Sequence, residues 1–411
     1  MEDPLFEAQM MRALGYAPYG GADVGEVLAT AAQIRATDLS LWLREWTALA
    51  MRVYAEAERS HAAGDRVGAC RGYLSASNYF RTSWLFELRP PVSELLSWGH
   101  LREVDAFRRG AALLPTPPRL VQIPYDGTTL PGYFFAVDDR PRRTLILTNG
   151  YDGTAEELYF TNGAAAIERG WNVLAFDGPG QGSALIDQGL PFRPDWESVA
   201  TPVVDFARTL PEVDPAQIVL MGLSLGGYFA PRGATGEHRL AACVSDCGPY
   251  DLMSVVASRL PRPLAGQVPD GNPVVLNLVD RLVRLVMRMG MGGLSVGMPT
   301  AGWAMRRNML VHDLDSPLAY FRMATDYSLV GLEHLIECPT LVCAAEGDDL
   351  SAHAPRLFEA LQCRKELIEF TRAEGAAEHC EGGARVLFHQ RVFAWLDEVL
   401  APADWPGPQD D

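Results

Sequence analysis

Apolar positions in the first 116 residues recur every three to four residues, the spacing of helices that bury one face. In "DLSLWLREWTALAMRVYAEAERSHAAGD", Trp42, Trp46, Leu49 and Val53 fall on one such face. Asp38 or Ser40 stands where a helix N-cap belongs, and Gly64-Asp65 supplies a stop. A second helix follows, "VGACRGYLSASNYFRTSWLFEL". The pair has the form of one tetratricopeptide-like hairpin with no second copy, so a repeat array is not expected. Its aromatic stripe reads as core or domain interface.

At Arg119 the period changes. "RLVQIPYDGTTLPGYFFAV" is two β-rich runs around Asp126-Gly127, a hairpin signal. Strand and helix patterns then alternate: "RTLILTNG" as a strand, "TAEELYFTNGAAAIERG" as a helix stopped by Gly170, "WNVLAFDGPGQG" as a strand and loop, and "DWESVATPVVDFARTL" as a helix. The runs "QIVLMG", "LAACVSDCG", "PTLVCAAEGDD" and "KELIEFTRAEGA" read as the remaining strands. Such alternation predicts an α/β fold, a mainly parallel sheet flanked by helices. Between the strands at Cys243 and Leu341 lies a helical stretch too long for a loop, which reads as a lid over the C-terminal edge of the sheet. The expected organisation is therefore a helical N-terminal segment over 1–116 and a first core part over 117–250. An inserted helical lid over 251–337 and a second core part over 338–411 complete it. The lid carries Met287, Met289, Met291, Met298, Met305 and Met309, which suit either an adaptable substrate wall or ordinary helix packing.

Composition narrows the function classes. With 48% hydrophobic and 21% charged residues in 411, the chain reads as a globular protein with a large core. Acidic residues outnumber basic ones 52 to 35, for a net charge of −17, so nucleic acid is not an expected partner. "MEDPLFEAQM" shows no basic region followed by an apolar run, so no secretory signal is expected. The apolar stretch from Val275 to Met291 is broken by Asp280, Arg281, Arg284 and Arg288, so no membrane span is expected. Seven cysteines without a C-x-x-C pair read as free thiols of a cytoplasmic protein.

The chemistry concentrates in "VLMGLSLGGYFAP". Ser224 stands between Gly222 and Gly226, after an apolar strand and before a helix. That G-x-S-x-G setting permits a sharp strand-to-helix turn with the serine at its apex. A serine becomes nucleophilic only with a base and an acid to orient it, and in this architecture both follow later strands. Asp348 follows one, with Asp349 as the alternative acid, and His379 follows the last. The other seven histidines lie at helix ends, in the lid or inside helices, away from the strand tips, and read as structural. The backbone amides of Leu225 and Tyr151 are the expected oxyanion donors. "DGPGQG" lacks the G-x-G-x-x-G spacing and does not follow the first strand, so no dinucleotide site is expected. No cofactor and no metal are expected either, since neither H-E-x-x-H nor a Cys/His cluster occurs.

On "YLSASNYFR", "DGPGQG", "GLSLGGY" and the tail "CPTLVCAAEGDD…FTRAEGAAEHCEGGA…LFHQRVFAWLDE", the chain resembles the α/β-hydrolases. It is most similar to the branch with a long helical N-terminal segment. That branch holds 2,6-dihydroxypseudooxynicotine hydrolase, the fungal pigment polyketide-shortening hydrolases and the FrsA-like esterases. The resemblance assigns the acid to Asp348 and the base to His379. It implies a serine hydrolase, closed over by helical elements, that cleaves a C–C or ester bond of an apolar, polyketide-like small molecule. Acyl transfer, cyclisation or elimination by the same triad, or a silent ligand-binding protein, are the alternatives. The resemblance also implies a homodimer through the N-terminal helices. Members that cleave C–C bonds can use a further carboxylate, for which Asp246 and Asp251 are the candidates in this chain.

Overall fold

In the computed structural model the described residues are 3–34, 38–258, 274, 276–278, 280–281, 284–285 and 299–401. The chain opens with helices α1 (Pro4–Gly15), α2 (Val24–Gln33), α3 (Leu39–Ala62), α4 (Arg66–Trp84) and α5 (Glu94–Ala111). Asp3 caps α1, and Asp38 caps α3 by accepting from the Ser40 and Leu41 amides. The chain leaves α3 through Gly64 at φ +80°, a left-handed conformation that glycine adopts without penalty. Trp42, Trp46, Tyr73, Tyr79 and Phe80 close the α3–α4 pair into its own core. Each such ring removes about 150–250 Å² from water, roughly 4–6 kcal/mol before entropy is counted. The Trp42 indole N–H donates to the Thr82 carbonyl at 2.7 Å, so its burial strands no donor.

Strands β1 (Arg119–Tyr125) and β2 (Thr128–Phe135) form the expected hairpin, with Asp126 and Gly127 both at positive φ as a tight primed turn requires. After β3 (Arg142–Thr148) the predicted single helix is divided into α6 (Ala155–Leu158), a widened π-turn (Tyr159–Gly163) and α7 (Ala164–Glu168). There follow β4 (Asn172–Phe176), α8 (Gly182–Ile186), α9 (Glu197–Ala207), β5 (Val213–Leu223), α10 (Gly226–Ala234) and β6 (Ala242–Asp246). Helices α11 (Leu252–Ser258), α12 (Pro299–Val311) and α13 (Pro317–Met323) fall in the excursion. Then come β7 (Thr340–Ala345), α14 (Ala354–Ala360), β8 (Lys365–Phe370) and α15 (Arg385–Val399).

The sheet order is β1-β2-β4-β3-β5-β6-β7-β8, antiparallel at the β1/β2/β4 end and parallel from β4 to β8. Alternate side chains of its central strands feed two separate cores. Ile146, Leu174, Ile218 and Leu220 enter one, whereas Leu145, Leu147, Val173, Val219 and Met221 enter the other. Both faces are covered, which is why these strands read as continuous apolar runs. The excursion joins two adjacent parallel strands, β6 and β7, as a helical insertion beside the strand tips. Met305 of α12 packs against the core, and Met287, Met289, Met291 and Met298 lie outside the described residues.

Candidate active site

Ser224 occupies the turn between β5 and α10 at φ +60°, a strained conformation for a residue with a Cβ. Its amide donates to the Asp246 carbonyl at the tip of β6, 3.0 Å away. The flanking glycines are required by contact. A Cβ on Gly222 would lie 1.8 Å from the Gly226 carbonyl oxygen, and one on Gly226 would lie 2.5 Å from that of Thr148. Backbone therefore meets backbone around the turn, and the serine side chain is left projecting from it.

The structure brings His379 and Asp348 to this serine. His379 Nε2 lies 2.8 Å from Ser224 Oγ, and its Nδ1 lies 2.7 Å from Asp348 Oδ2. With its proton on Nδ1 the ring donates to the carboxylate and accepts from the serine hydroxyl. The other Asp348 oxygen accepts from the Leu350 amide at 3.1 Å. Burial opposes charge on Asp348, yet the imidazole beside it holds its carboxyl below the usual range. Desolvation of the ring edge that faces the protein opposes a charged His379, but Asp348, and then the Cys380 sulfur, raise it well above the usual imidazole value. Asp349 is exposed, and it is Asp348 that meets the ring.

The loop after β3 closes the other side. A Cβ on Gly150 would lie 2.7 Å from that of Ser224, so this loop runs against the serine. The Gly150 amide donates to its neighbour Asn149 at 3.1 Å. Among the described residues, no acceptor engages the Leu225 or Tyr151 amide. The Tyr151 side chain points away, its hydroxyl 3.2 Å from His312 Nε2, and His312 Nδ1 meets the Tyr327 hydroxyl at 3.1 Å. Burial, helped by Arg307, keeps His312 neutral by lowering it to about 3. The "DGPGQG" stretch supports this loop: Gln181 donates to the Asn149 carbonyl at 2.5 Å, and Asp177 accepts from the Ala155 and Ser183 amides.

A narrow cleft, partly open to solvent, runs over Ser224 and His379. Its opposite wall comes from α1, through Gln9, Met11 and Arg12, a contribution the helical periodicity gave no means of assigning. Buried ion pairs hold that helix in place. Arg12 makes two bonds to Glu157, at 2.8 and 2.6 Å, and one to Asp152 at 2.9 Å. Arg307 of α12 reaches the other Asp152 oxygen at 3.0 Å, and Arg81 of α4 reaches the Asp152 carbonyl at 3.0 Å. Burial opposes ionisation of Asp152, but the three guanidiniums hold it far below the usual carboxylate range. One loop residue thus joins α1, α4 and α12 beside the serine.

A second charged group lies beneath His379. Arg385 is buried with Asp246 at 3.2 Å and Glu381 at 3.3 Å, and it donates to the Cys380 carbonyl at 2.8 Å. The π-turn exposes the Thr161 carbonyl, which accepts from His389 at 2.7 Å. Neither carboxylate considered as an extra catalytic group is free. Asp246 is paired with Arg385, and Asp251 accepts from the Ser254 amide and the Ser328 hydroxyl. Asp246, Cys247 and Cys380 place donor atoms within 4.8 Å of one another, but Arg385 already supplies the cation there.

Among the described residues no helix is long and apolar enough to cross a membrane. Residues 145–394 match the model of the alpha/beta hydrolase family. The chain is 35% identical over 420 residues to Hydrolase LUC6 of Fusarium sp, with 96% of each chain covered. It is 34% identical over 423 residues to 20-hydroxy-prefusarin hydrolase FUS2 of Gibberella moniliformis, again with 96% of each covered. Among solved structures, 2,6-dihydroxy-pseudo-oxynicotine hydrolase superposes with a TM-score of 0.72 at 21% identity, covering 94% of this chain and 96% of that one. With a helical N-terminal segment, a mainly parallel sheet and a helical insertion between β6 and β7, the chain belongs to the alpha/beta hydrolase family.

Proposed function

We propose that the protein is a serine hydrolase acting on an acyl carbonyl of a small, apolar, polyketide-like molecule. The observation that carries this reading is the continuous hydrogen-bonded chain Ser224–His379–Asp348 at a strained strand-to-helix turn facing a cleft. The relatives' names as hydrolases, one of them of 20-hydroxy-prefusarin, support the substrate class.

In the mechanism, His379 takes the Ser224 proton as Oγ attacks the carbonyl carbon, and Asp348 holds the ring and stabilises its cationic form. The Leu225 and Tyr151 amides, left without acceptors, receive the oxyanion; each such donor is worth about a hundred- to a thousand-fold in rate. His379 then protonates the leaving oxygen or carbon, and water activated by the same ring releases the acyl group. The bond broken is an ester or a C–C bond. Because Asp246, Asp251 and Asp152 are all committed to other partners, ester cleavage asks less of this site.

Acyl transfer, cyclisation or elimination by the same groups would profit from a dry site. The His379 side chain is 42% exposed, which admits water and favours hydrolysis. Turnover in oxygen-18 water tests the reading. Label is expected in the released acid, and Ser224→Ala is expected to lower kcat by on the order of a million-fold without unfolding the protein. Unlabelled acid, or turnover that survives the substitution, contradicts it.

A further inference from the structure

Two thiols that the proposed reaction does not use lie directly behind His379. Cys380 is partly exposed and lines the cleft, whereas Cys247, next to Asp246 at the tip of β6, is buried. Both residues adopt left-handed backbone conformations, at φ +49° and +53°. Their sulfurs lie within 4.8 Å of each other, Cys247 Sγ meets Glu381 Oε1 at 3.5 Å, and Cys380 Sγ is 3.7 Å from His379 Nε2. The pair spans two chain segments, so a bond between them would tie the His379 loop to β6.

We infer that Cys380 and Cys247 form a modification site at which a small hydroperoxide entering the cleft is reduced and an internal disulfide is made, drawing His379 away from Ser224. The two thiols differ in the way such chemistry needs. Burial opposes a Cys380 thiolate, but the neighbouring Cys247 thiol and the His379 charge bring it down to about 7, and burial pushes Cys247 well up. Cys380 is therefore the attacking sulfur and Cys247 the resolving one. The Cys380 thiolate attacks the peroxide, the O–O bond breaks, and an alcohol or water leaves with Cys380 as the sulfenic acid. The Cys247 sulfur then attacks Cys380, the S–O bond breaks, and hydroxide departs with the Cys247 proton as water. Two thiols lose two protons and two electrons, and the hydroperoxide, taking up both, becomes an alcohol and water. Closing the sulfurs to about 2.0 Å moves the Cys380 side chain, and with it the peptide that carries His379.

The remaining cysteines, Cys70, Cys243, Cys338, Cys343 and Cys363, do not line this cleft. The loss of activity rests on the hydrolytic reading, but formation of the disulfide does not.

The test is treatment of the full-length protein with hydrogen peroxide, followed by intact mass, peptide mapping and turnover of a reporter ester. The expected result is loss of two hydrogens, a Cys247–Cys380 cross-linked peptide, and a fall in turnover of about a hundredfold that a dithiol reductant reverses. Cys247→Ser should give no cross-link. Its own activity should be lost beyond recovery as Cys380 proceeds to the sulfinic acid. Absence of the cross-link in the unsubstituted protein, or a cross-link that leaves turnover unchanged, overturns the proposal. A cross-link in a protein whose reduced form turns over neither an ester nor a β-diketone, and whose Ser224 takes no fluorophosphonate label, refutes the hydrolytic reading and leaves the thiol pair standing.

Discussion

The turn that carries Ser224 is held by backbone against backbone, and the loop that carries His379 is held by buried charge. Around Ser224 the Gly222, Gly226 and Gly150 backbones sit where any side chain would collide with a neighbour. The loop of His379 also meets backbone, at Gly15 against the Gly382 carbonyl and at Gly347 against that of Ala377, but these contacts flank the ring two and three residues away. Position there comes from Asp348 in front of the ring and from Arg385, Asp246 and Glu381 beneath it. The first arrangement is geometric and insensitive to pH or salt. The second depends on ionisation, which opens it to chemistry such as thiol oxidation. The proposed base would change protonation state in each cycle, and such a seat lets its electrostatics be tuned.

Three changes separate the two kinds of support. The largest effect is expected from Arg385→Met, which leaves Asp246 and Glu381 buried without their cation and should cost about 3–5 kcal/mol at neutral pH. Burial raises both acids above the usual carboxylate range, with Arg385 pulling the other way. Without Arg385 they hold their protons more firmly. In acid the unfolded chain is protonated too, so denaturant midpoints of variant and parent should converge as pH falls. A loss that stays constant with pH would show that packing, and not charge, holds the loop. Gly222→Ala comes next, at about 1–3 kcal/mol from overpacking. It should lose activity out of proportion to stability, because Ser224 must shift, and its deficit should not change with pH. The smallest effect is on the pH profile. In the proposed reaction His379 acts as a base only when neutral, so kcat/KM should rise with pH through a midpoint above the usual imidazole value. Cys380→Ser removes the sulfur that helps keep the ring charged, and should move that limb to lower pH.

The same contrast explains what could be read from the chain. The β1–β2 hairpin, the alternation of strands and helices and the turn at Ser224 depend on neighbours in sequence, and their signals stand in contiguous residues. Choosing between Asp348 and Asp349 requires knowing where β7 ends to within one residue, which periodicity does not resolve. Glu381 stands four residues before Arg385, but the Arg385–Asp246 pair and the Arg12–Asp152–Arg307 clamp join residues more than a hundred positions apart, and no spacing rule reports them. Attention to methionines pointed to the insertion, where four of the six lie outside the described residues; among the described residues it is Met11 of α1 that lines the cleft. The proximity of Cys380 to the base could have been noticed, since it is the next residue. Its partner Cys247 could not, because strand order alone brings them together.

The most direct test of the proposed triad is labelling with a fluorophosphonate, which reacts only with an activated serine, followed by mapping of the modified peptide. Modification of Ser224 that disappears in His379→Ala is the result expected from the geometry. Labelling that persists in His379→Ala, or that falls on another serine, would contradict it.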